Sequence, residues 1–395
     1  MEKKKFNLVI DLVMILIIVF VLVIGLVKTL LGTIEINDYE NRSAYKITDI
    51  SAAGLWTGES QDTIELAFAD QIPLSIIMKK TYNFLTHAAI DKFYSSYEDN
   101  MLKNKYIDLN GIYRMSGTDY LVWKIKNKED FIASIDSKIA NINYICDKYP
   151  QIDFYLYYIE KDTDINFETN EKLNMYEYID DRITEDNITT DKFEINSFDE
   201  YKDNFYKTDH HWNYKGSYRA YQNLCKLMGI EDEVKRPLKT FKMNTKFIGS
   251  KALTSGLSDL YSEEFEAYAF DIPEHETFVS GEKKEYGRQE ECLSNPDIVT
   301  SYAHFYGLDN AEVIFDFNKP DRENVLFIGE SYDNAILRLM ASHFNKTYAI
   351  DLRHYENENG KKFSFKEYVE NNGIDKVVLI GNIDYYIMSE FNLEE

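Results

Sequence analysis

The sequence is poor in cysteine, proline and positive charge, and each shortage narrows what the protein can be. Three cysteines, Cys146, Cys225 and Cys292, are too few and too scattered for a disulfide framework or a Cys-rich zinc site. Lys and Arg total 44 against 68 Asp and Glu, a formal charge of −24. That balance argues against a phosphate-backbone binder, whose affinity rests on clustered cations, so no nucleic-acid partner is expected. Proline occurs 6 times, and neither an internal repeat nor a low-complexity tract is present. Against these absences, 395 residues with 44% hydrophobic and 28% charged side chains can bury a sizeable core, enough for two or three domains. The 31 tyrosines and 24 phenylalanines suit sugar stacking and equally suit plain core and sheet positions.

One long apolar run is present. Leu8 to Val27 carries a single charge, Asp11, and has the length that crosses a bilayer as a helix. Lys3, Lys4 and Lys5 precede it and only Lys28 follows closely, which places the N-terminus in the cytoplasm. A cleavable signal peptide is the competing reading, but the run is long for one and no small-x-small site follows Val27 cleanly. The expectation is a single-pass anchor in the cell membrane over residues 1–32, with an acidic extracellular domain.

Residues 33–110 read as a polar stalk and a helical lead-in interrupted at Pro73. Residues 111–395 read as the catalytic domain, with an insertion around 235–310. Within it, 111–126 alternates around Gly-Thr-Asp as a hairpin does, and 128–147 repeats Phe131, Ile132, Ile135, Ile139, Ile142 and Ile145 at helical spacing. Phe154–Ile159 reads as a strand, followed by an acidic loop region to about Lys207. Tyr214–Met228 reads as a helix capped by Asn213 and ended by Gly229. The last 75 residues alternate strand and helix: Asn324–Ile328, a helix with Ile336, Leu339 and Met340, Thr347–Leu352, a helix over 364–371, and Lys376–Ile380. Such alternation implies an α/β fold with a parallel sheet covered on both faces, its chemistry on loops at the C-terminal strand ends. Ser331, Arg353 and Asn382 all fall at such ends.

Ser331 stands between an apolar strand and a helix, just after Gly329, where its hydroxyl can project and helix N-terminal amides can hold an oxyanion. It does not sit in the G-x-S-x-G elbow, and a Gly-x-Ser at a strand end is by itself more often a helix cap. Thr208-Asp209-His210-His211-Trp212 holds two of the chain's seven histidines. An attacking serine needs a neutral imidazole, and the imidazole needs a carboxylate to fix its tautomer; Asp209 and His211 would supply both from one loop. Two structural histidines beside Trp212 are the plain alternative. A metal on Asp209, His210 and His211 is disfavoured because neighbours in an extended loop point apart, so neither metal nor cofactor is expected.

Together, TDHHWNYKGSYRAY and VLFIGESYDNAILRLM resemble the DHHW and AlgX/AlgJ-like branch of the SGNH hydrolase superfamily, whose members look like cell-surface polysaccharide O-acetyltransferases. Glu40-Asn41-Arg42 and Asp70-Gln71-Ile72-Pro73 look like family signatures upstream of the catalytic domain. The resemblance implies a three-layer α/β/α SGNH-like domain, with Ser331 as nucleophile, His211 as general base and Asp209 as its orienting partner. It implies a strand-end arginine, Arg353, lining the site; Tyr332 and Asn382 are positional candidates for substrate or oxyanion contacts. The family usually has Gly-Asp-Ser where this chain has Gly329-Glu330-Ser331, and often Arg where it has Ser75. The expected activity is O-acetyl transfer or acetyl-ester hydrolysis on a polysaccharide. An exported transferase has no access to cytosolic acetyl-CoA, so a membrane-bound O-acyltransferase donor partner is implied. A catalytically silent glycan-binding or assembly protein on the same fold is the alternative.

Overall fold

The computed structural model describes residues 2–37, 42–47, 54, 59–72, 75–95, 105–109, 111–298, 300–388 and 393. Glu40, Asn41 and Pro73 lie outside the described residues. The chain divides into two units, Met1–Leu102 with Ser250–Tyr261, and Lys103–Gly249 with Ser262–Glu395.

In the first unit, helix α1 (Glu2–Leu31) contains the apolar run, and Asp11–Leu31 is long and apolar enough to cross a membrane, with a mean hydropathy of 3.0. Helices α2 (Glu59–Gln71) and α3 (Ser75–Ser95) follow.

The second unit is built on eight strands, β1 (Asp153–Ile159), β2 (Ile188–Phe193), β3 (Glu276–Val279), β4 (Glu282–Lys283), β5 (Glu312–Asp316), β6 (Val325–Ile328), β7 (Lys346–Ile350) and β8 (Lys376–Gly381). Their order across the sheet is β4-β3-β5-β7-β6-β8-β1-β2. From β7 to β2 every pairing is parallel. The sheet departs from an all-parallel expectation at one edge, where β5, β3 and β4 run antiparallel. β3 and β4 come from the segment read as an insertion and are joined by the tight turn Ser280-Gly281, which reverses the chain; β5 follows just beyond that segment. β2 lies in the segment read as an acidic loop: Ile188-Thr-Thr-Asp-Lys-Phe193 has few apolar residues because an edge strand buries only part of itself.

Alternate strand residues enter two separate apolar clusters, as the period of two requires. Tyr155, Tyr157, Phe327, Val378 and Ile380 join one, with residues of α5 (Tyr214–Leu227) and α6 (Asn334–Ala341). Phe154, Leu156, Leu326, Val377 and Leu379 join the other, with α4 (Ile132–Lys148), α7 (Leu352–Asn359) and α8 (Phe365–Asn372). The connection leaving β6 through α6 therefore enters one cluster. The helix Ile383–Ile387, which follows the adjacent β8, enters the other. Where neighbouring parallel strands send their connections to opposite faces, a crevice opens at their carboxyl ends. Ser331 follows β6 and Asn382 follows β8, so both stand at that crevice.

Two other features position the site. Tyr113–Met115 and Leu121–Val122 form the expected hairpin, joined by Tyr106–Asp108 as a third strand. Lys239–Phe247 and Glu263–Ala269 pair antiparallel within the inserted segment.

Candidate active site

The Asp-His-His loop is folded on itself. Phe205 and Trp212 form an isolated antiparallel bridge, and the Tyr206 amide donates to the His211 carbonyl at 3.2 Å. Asn213 then caps α5 as its sequence position predicts, its side chain accepting from Lys215 and Gly216 amides at 2.9 and 3.1 Å. The loop's other end is fixed by Glu263, at the start of the inserted hairpin's second strand. Its carboxylate accepts from the amides of Lys207 (2.9 Å) and Thr208 (2.7 Å) and from the Thr208 hydroxyl (2.7 Å). Burial pushes the Glu263 carboxyl above the usual carboxylate range, with those hydrogen bonds opposing. Gly249 closes the loop from the other side: a Cβ there would lie 2.4 Å from the Asp209 nitrogen, a close approach only glycine allows.

Within this frame Asp209 and His211 are both buried, and Asp209 Oδ1 accepts from the His211 amide at 3.0 Å and meets its Nδ1 at 2.6 Å. The other ring nitrogen, Nε2, lies 2.8 Å from the Ser331 hydroxyl. Two loops 120 residues apart thus meet in one hydrogen-bonded chain. The bond to Asp209 fixes a proton on Nδ1 and leaves Nε2 as an acceptor facing Ser331. Tyr302 lies flat on the His211 ring, centroids 3.8 Å apart and planes within 5°, while its hydroxyl donates to the Tyr332 carbonyl at 3.0 Å. The imidazole is therefore held by hydrogen bonds at its edge and by an aromatic face.

His210 does not point away from its neighbour, contrary to the extended-loop expectation: the two rings lie side by side, centroids 3.8 Å apart and planes tilted by 36°. The bend that brings Tyr206 to the His211 carbonyl turns both rings the same way. Asp209, His210 and His211 can each offer a ligand atom within 4.8 Å of one another. Both ring nitrogens of His211 are already engaged by Asp209 and Ser331, so a metal there would have to displace the hydroxyl or the carboxylate.

Ser331 sits half-buried in the turn between β6 and α6. Gly329 leaves room for the Asp333 carboxylate against the turn, since a Cβ on it would come 2.1 Å from one of its oxygens. The longer Glu330 has a specific place. Its buried carboxylate accepts from the Asn382 amide at 3.2 Å and from the Asn382 side-chain nitrogen. This ties the serine turn to the end of β8. Burial raises the Glu330 carboxyl above its ordinary range, with the charges of Lys161 and Arg353 opposing. Lys161, buried after β1, bonds Asp384 at 3.0 Å. Burial works against its charge, but Asp384, Asp162 and Glu330 together raise it above the ordinary lysine value.

The remaining sequence candidates have defined places too. Tyr332 is buried, its ring edge-on to Trp212 at 5.4 Å and its hydroxyl donating to the His210 carbonyl, which makes it a wall of the site. Asn382 is buried and caps the helix that follows it, accepting from the Asp384 amide at 2.8 Å. Arg353 lies in the first turn of α7, with Nε on Asp351 at 2.9 Å and Nη2 on Asp309 at 2.9 Å. Two carboxylates thus hold its donors, and no hydrogen bond joins it to Ser331 among the described residues.

Sequence reasoning missed Glu263, Tyr302 and Lys161. Lys161 carried a signal: Glu160-Lys-Asp-Thr-Asp164 directly follows an apolar parallel strand, the place where α/β folds put chemistry. Nothing in the local sequence marks Tyr302 or Glu263.

No protein-family model and no curated protein sequence matches the chain. Among solved structures, Bacillus cereus PatB1 superposes with a TM-score of 0.54 at 18% identity, over 73% of this chain and 100% of that one. A DHHW family protein from Eubacterium siraeum superposes with a TM-score of 0.54 at 16% identity, over 73% and 98%. The O-acetyltransferase domain of Pseudomonas putida AlgJ aligns less closely, with a TM-score of 0.43 at 12% identity over 71% and 93%. Over those shared lengths the chain has the fold of the DHHW family protein and of PatB1.

Proposed function

We propose that the protein is a membrane-anchored serine acyltransferase or esterase, working outside the cell on O-acetyl groups of a polysaccharide from a three-layer SGNH-like domain. The observation that carries this reading is the unbroken chain Ser331 Oγ, His211 Nε2, His211 Nδ1, Asp209 Oδ1, with contacts of 2.8 and 2.6 Å.

In the proposed reaction His211 Nε2 takes the Ser331 hydroxyl proton as Oγ bonds to the acetyl carbonyl carbon. The tetrahedral intermediate then expels the donor oxygen, which receives that proton, and leaves an acetyl-serine. An acceptor hydroxyl repeats the sequence in reverse, with His211 again as base. Asp209 stabilises the imidazolium formed in each half. The developing oxyanion is assigned to backbone amides of the turn at Ser331. Arg353, with its donors on Asp309 and Asp351, contributes a fixed positive field and no direct bond. A sugar hydroxyl as acceptor makes the protein a transferase, and water makes it an esterase. The single apolar helix supports work beside a membrane-bound acyl donor, and the acidic surface favours a neutral polysaccharide acceptor over an anionic one.

The test is turnover of a chromogenic acetyl ester by the full chain in detergent, with and without oligosaccharide acceptors. Ser331→Ala, His211→Ala and Asp209→Asn should each lower kcat by about 10³–10⁴-fold or more, as losses within a catalytic triad do. Intact mass should show acetylation of the wild type and none of Ser331→Ala. Turnover that survives Ser331→Ala, or a chain that never acylates, rejects the reading in favour of a silent binding protein.

A further inference from the structure

Helix α3 is amphipathic the wrong way round for water. On one side Lys80 pairs with Asp259 at 3.0 Å, Asn83 donates to the Gly256 carbonyl at 2.9 Å, and the buried His87 meets the Tyr261 ring edge-on at 6.3 Å. Its polar face therefore packs on segment Ser250–Tyr261 of the same unit. Ile77, Met78, Tyr82, Phe84, Leu85 and Phe93 are each more than half exposed. At about 100° per residue these six fall within roughly half of the helix circumference. Exposed Thr81 and, near the C-terminal end, Lys92 share this arc, and an exposed, predominantly apolar face of this length marks an interaction site.

The same unit indicates what covers it. Helix α2 ends against α1: a Cβ on Gly25 would lie 3.1 Å from Ile72 and 3.5 Å from Phe68. Gly25 is six residues inside the end of the apolar stretch Asp11–Leu31, about 9 Å along the helix axis. The end of α2 and Ile72 are thus held beside the part of α1 that reaches into the bilayer, and the first turn of α3, three residues further along the chain, carries exposed Ile77 and Met78. The polar groups at this depth are satisfied internally, as a membrane requires. Gln71 exchanges bonds with the Ile34 backbone at 3.1 Å each way, and Asp70 accepts from the Tyr45 amide at 3.1 Å.

We infer that the exposed face of α3 binds the lipid surface, seated in the outer leaflet beside the anchor. The chain is thereby attached by a spanning helix and an interfacial one. The inference rests on α1 spanning the bilayer and is independent of any acyl-transfer activity.

The test places a polarity-sensitive NBD label on a cysteine at position 84 (Phe84→Cys), and in a second chain at position 78 (Met78→Cys). The full protein is reconstituted in phosphatidylethanolamine–phosphatidylglycerol nanodiscs. The native cysteines are buried, and the unsubstituted chain gives the labelling background. Both labels should emit blue-shifted relative to one at Gln61→Cys on α2, and nitroxide-bearing lipids should quench them. Water-like emission from both positions overturns the inference. So does a blue shift that nitroxide lipids leave unquenched, or one that self-quenches with protein density, since a protein or a second copy would then cover the face.

Discussion

Glu330→Asp turns Gly329-Glu330-Ser331 into the Gly-Asp-Ser pattern that the segment resembles, and it should harm this protein. The carboxylate reaches the Asn382 amide at 3.2 Å and also takes the Asn382 side-chain nitrogen. Removing one methylene retracts it by roughly 1.5 Å, beyond hydrogen-bond range. Asn382 is 1% exposed, so water cannot replace the lost acceptor. Leaving buried donors unsatisfied costs about 1–3 kcal/mol each, which puts the loss for two donors at roughly 2–6 kcal/mol. Glu330→Gln keeps both the reach and one acceptor oxygen, and only weakens charged hydrogen bonds to neutral ones, about 1–2 kcal/mol. The order of thermal stability should be wild type, then Gln, then Asp. Because Ser331 is the next residue, the Asp variant should also lose kcat more than it raises KM in the ester assay. An Asp variant as stable and active as wild type would show that the link to Asn382 does not hold the serine turn. A Gln variant weaker than the Asp variant would show that charge beside Lys161, and not reach, is what the site needs.

Two further tests probe the packing around the site. Gly249→Ala places a methyl 2.4 Å from the Thr208 carbonyl carbon and 2.5 Å from the Asp209 Cβ, where the neighbour is backbone and cannot yield. A shift of the acid–base loop by an ångström should lower kcat by about 10²-fold, and unchanged kcat would mean the loop is not held from this side. His343, stacked on Tyr221 with its Nε2 at 2.8 Å from that hydroxyl, is pushed down to about 4 from an ordinary 6.5, mainly by burial. The folded protein keeps this imidazole neutral while the unfolded chain protonates near 6.5, so stability should fall as pH drops from 6.5 towards 4, by roughly 3 kcal/mol. His343→Phe keeps the ring and removes the titration, so acid unfolding of this variant should be flatter over that interval. An identical pH profile would refute the assignment.

What could be read from the sequence follows the range of the interactions involved. Parallel strands buried on both faces leave near-continuous apolar runs, so Val325–Ile328 and Lys376–Gly381 could be recognised without any partner. The Asn213 cap is a local hydrogen bond and could be read as a local pattern. β2 escaped because an edge strand need not be apolar, and β3–β5 because their antiparallel pairing depends on tertiary neighbours. The pairing of Asp209 with His211 was legible as two positions in one loop. Its meeting with Ser331 rested on a resemblance, since no periodicity in 120 intervening residues fixes it. The role of Glu330 illustrates the limit. Its departure from Gly-Asp-Ser was visible, but its partner, 52 residues on at the end of another strand, was not.

The segment read as an insertion holds much of what immobilises His211. Gly249 and Glu263 clamp the loop on either side of Asp209, and Tyr302 covers the face of His211. Catalytic geometry must hold to fractions of an ångström, and a loop on the sheet edge cannot reach that precision with its own backbone alone. Thr208 shows how it is done here: its amide and hydroxyl both bond Glu263, while its hydroxyl accepts from the Gly249 amide at 3.0 Å. Gly249, Glu263 and Tyr302 therefore support the imidazole from outside the strand–helix alternation that carries Ser331. Ser331 and His211 stand on separately stabilised parts of one unit, and the 2.8 Å contact between them depends on both being folded.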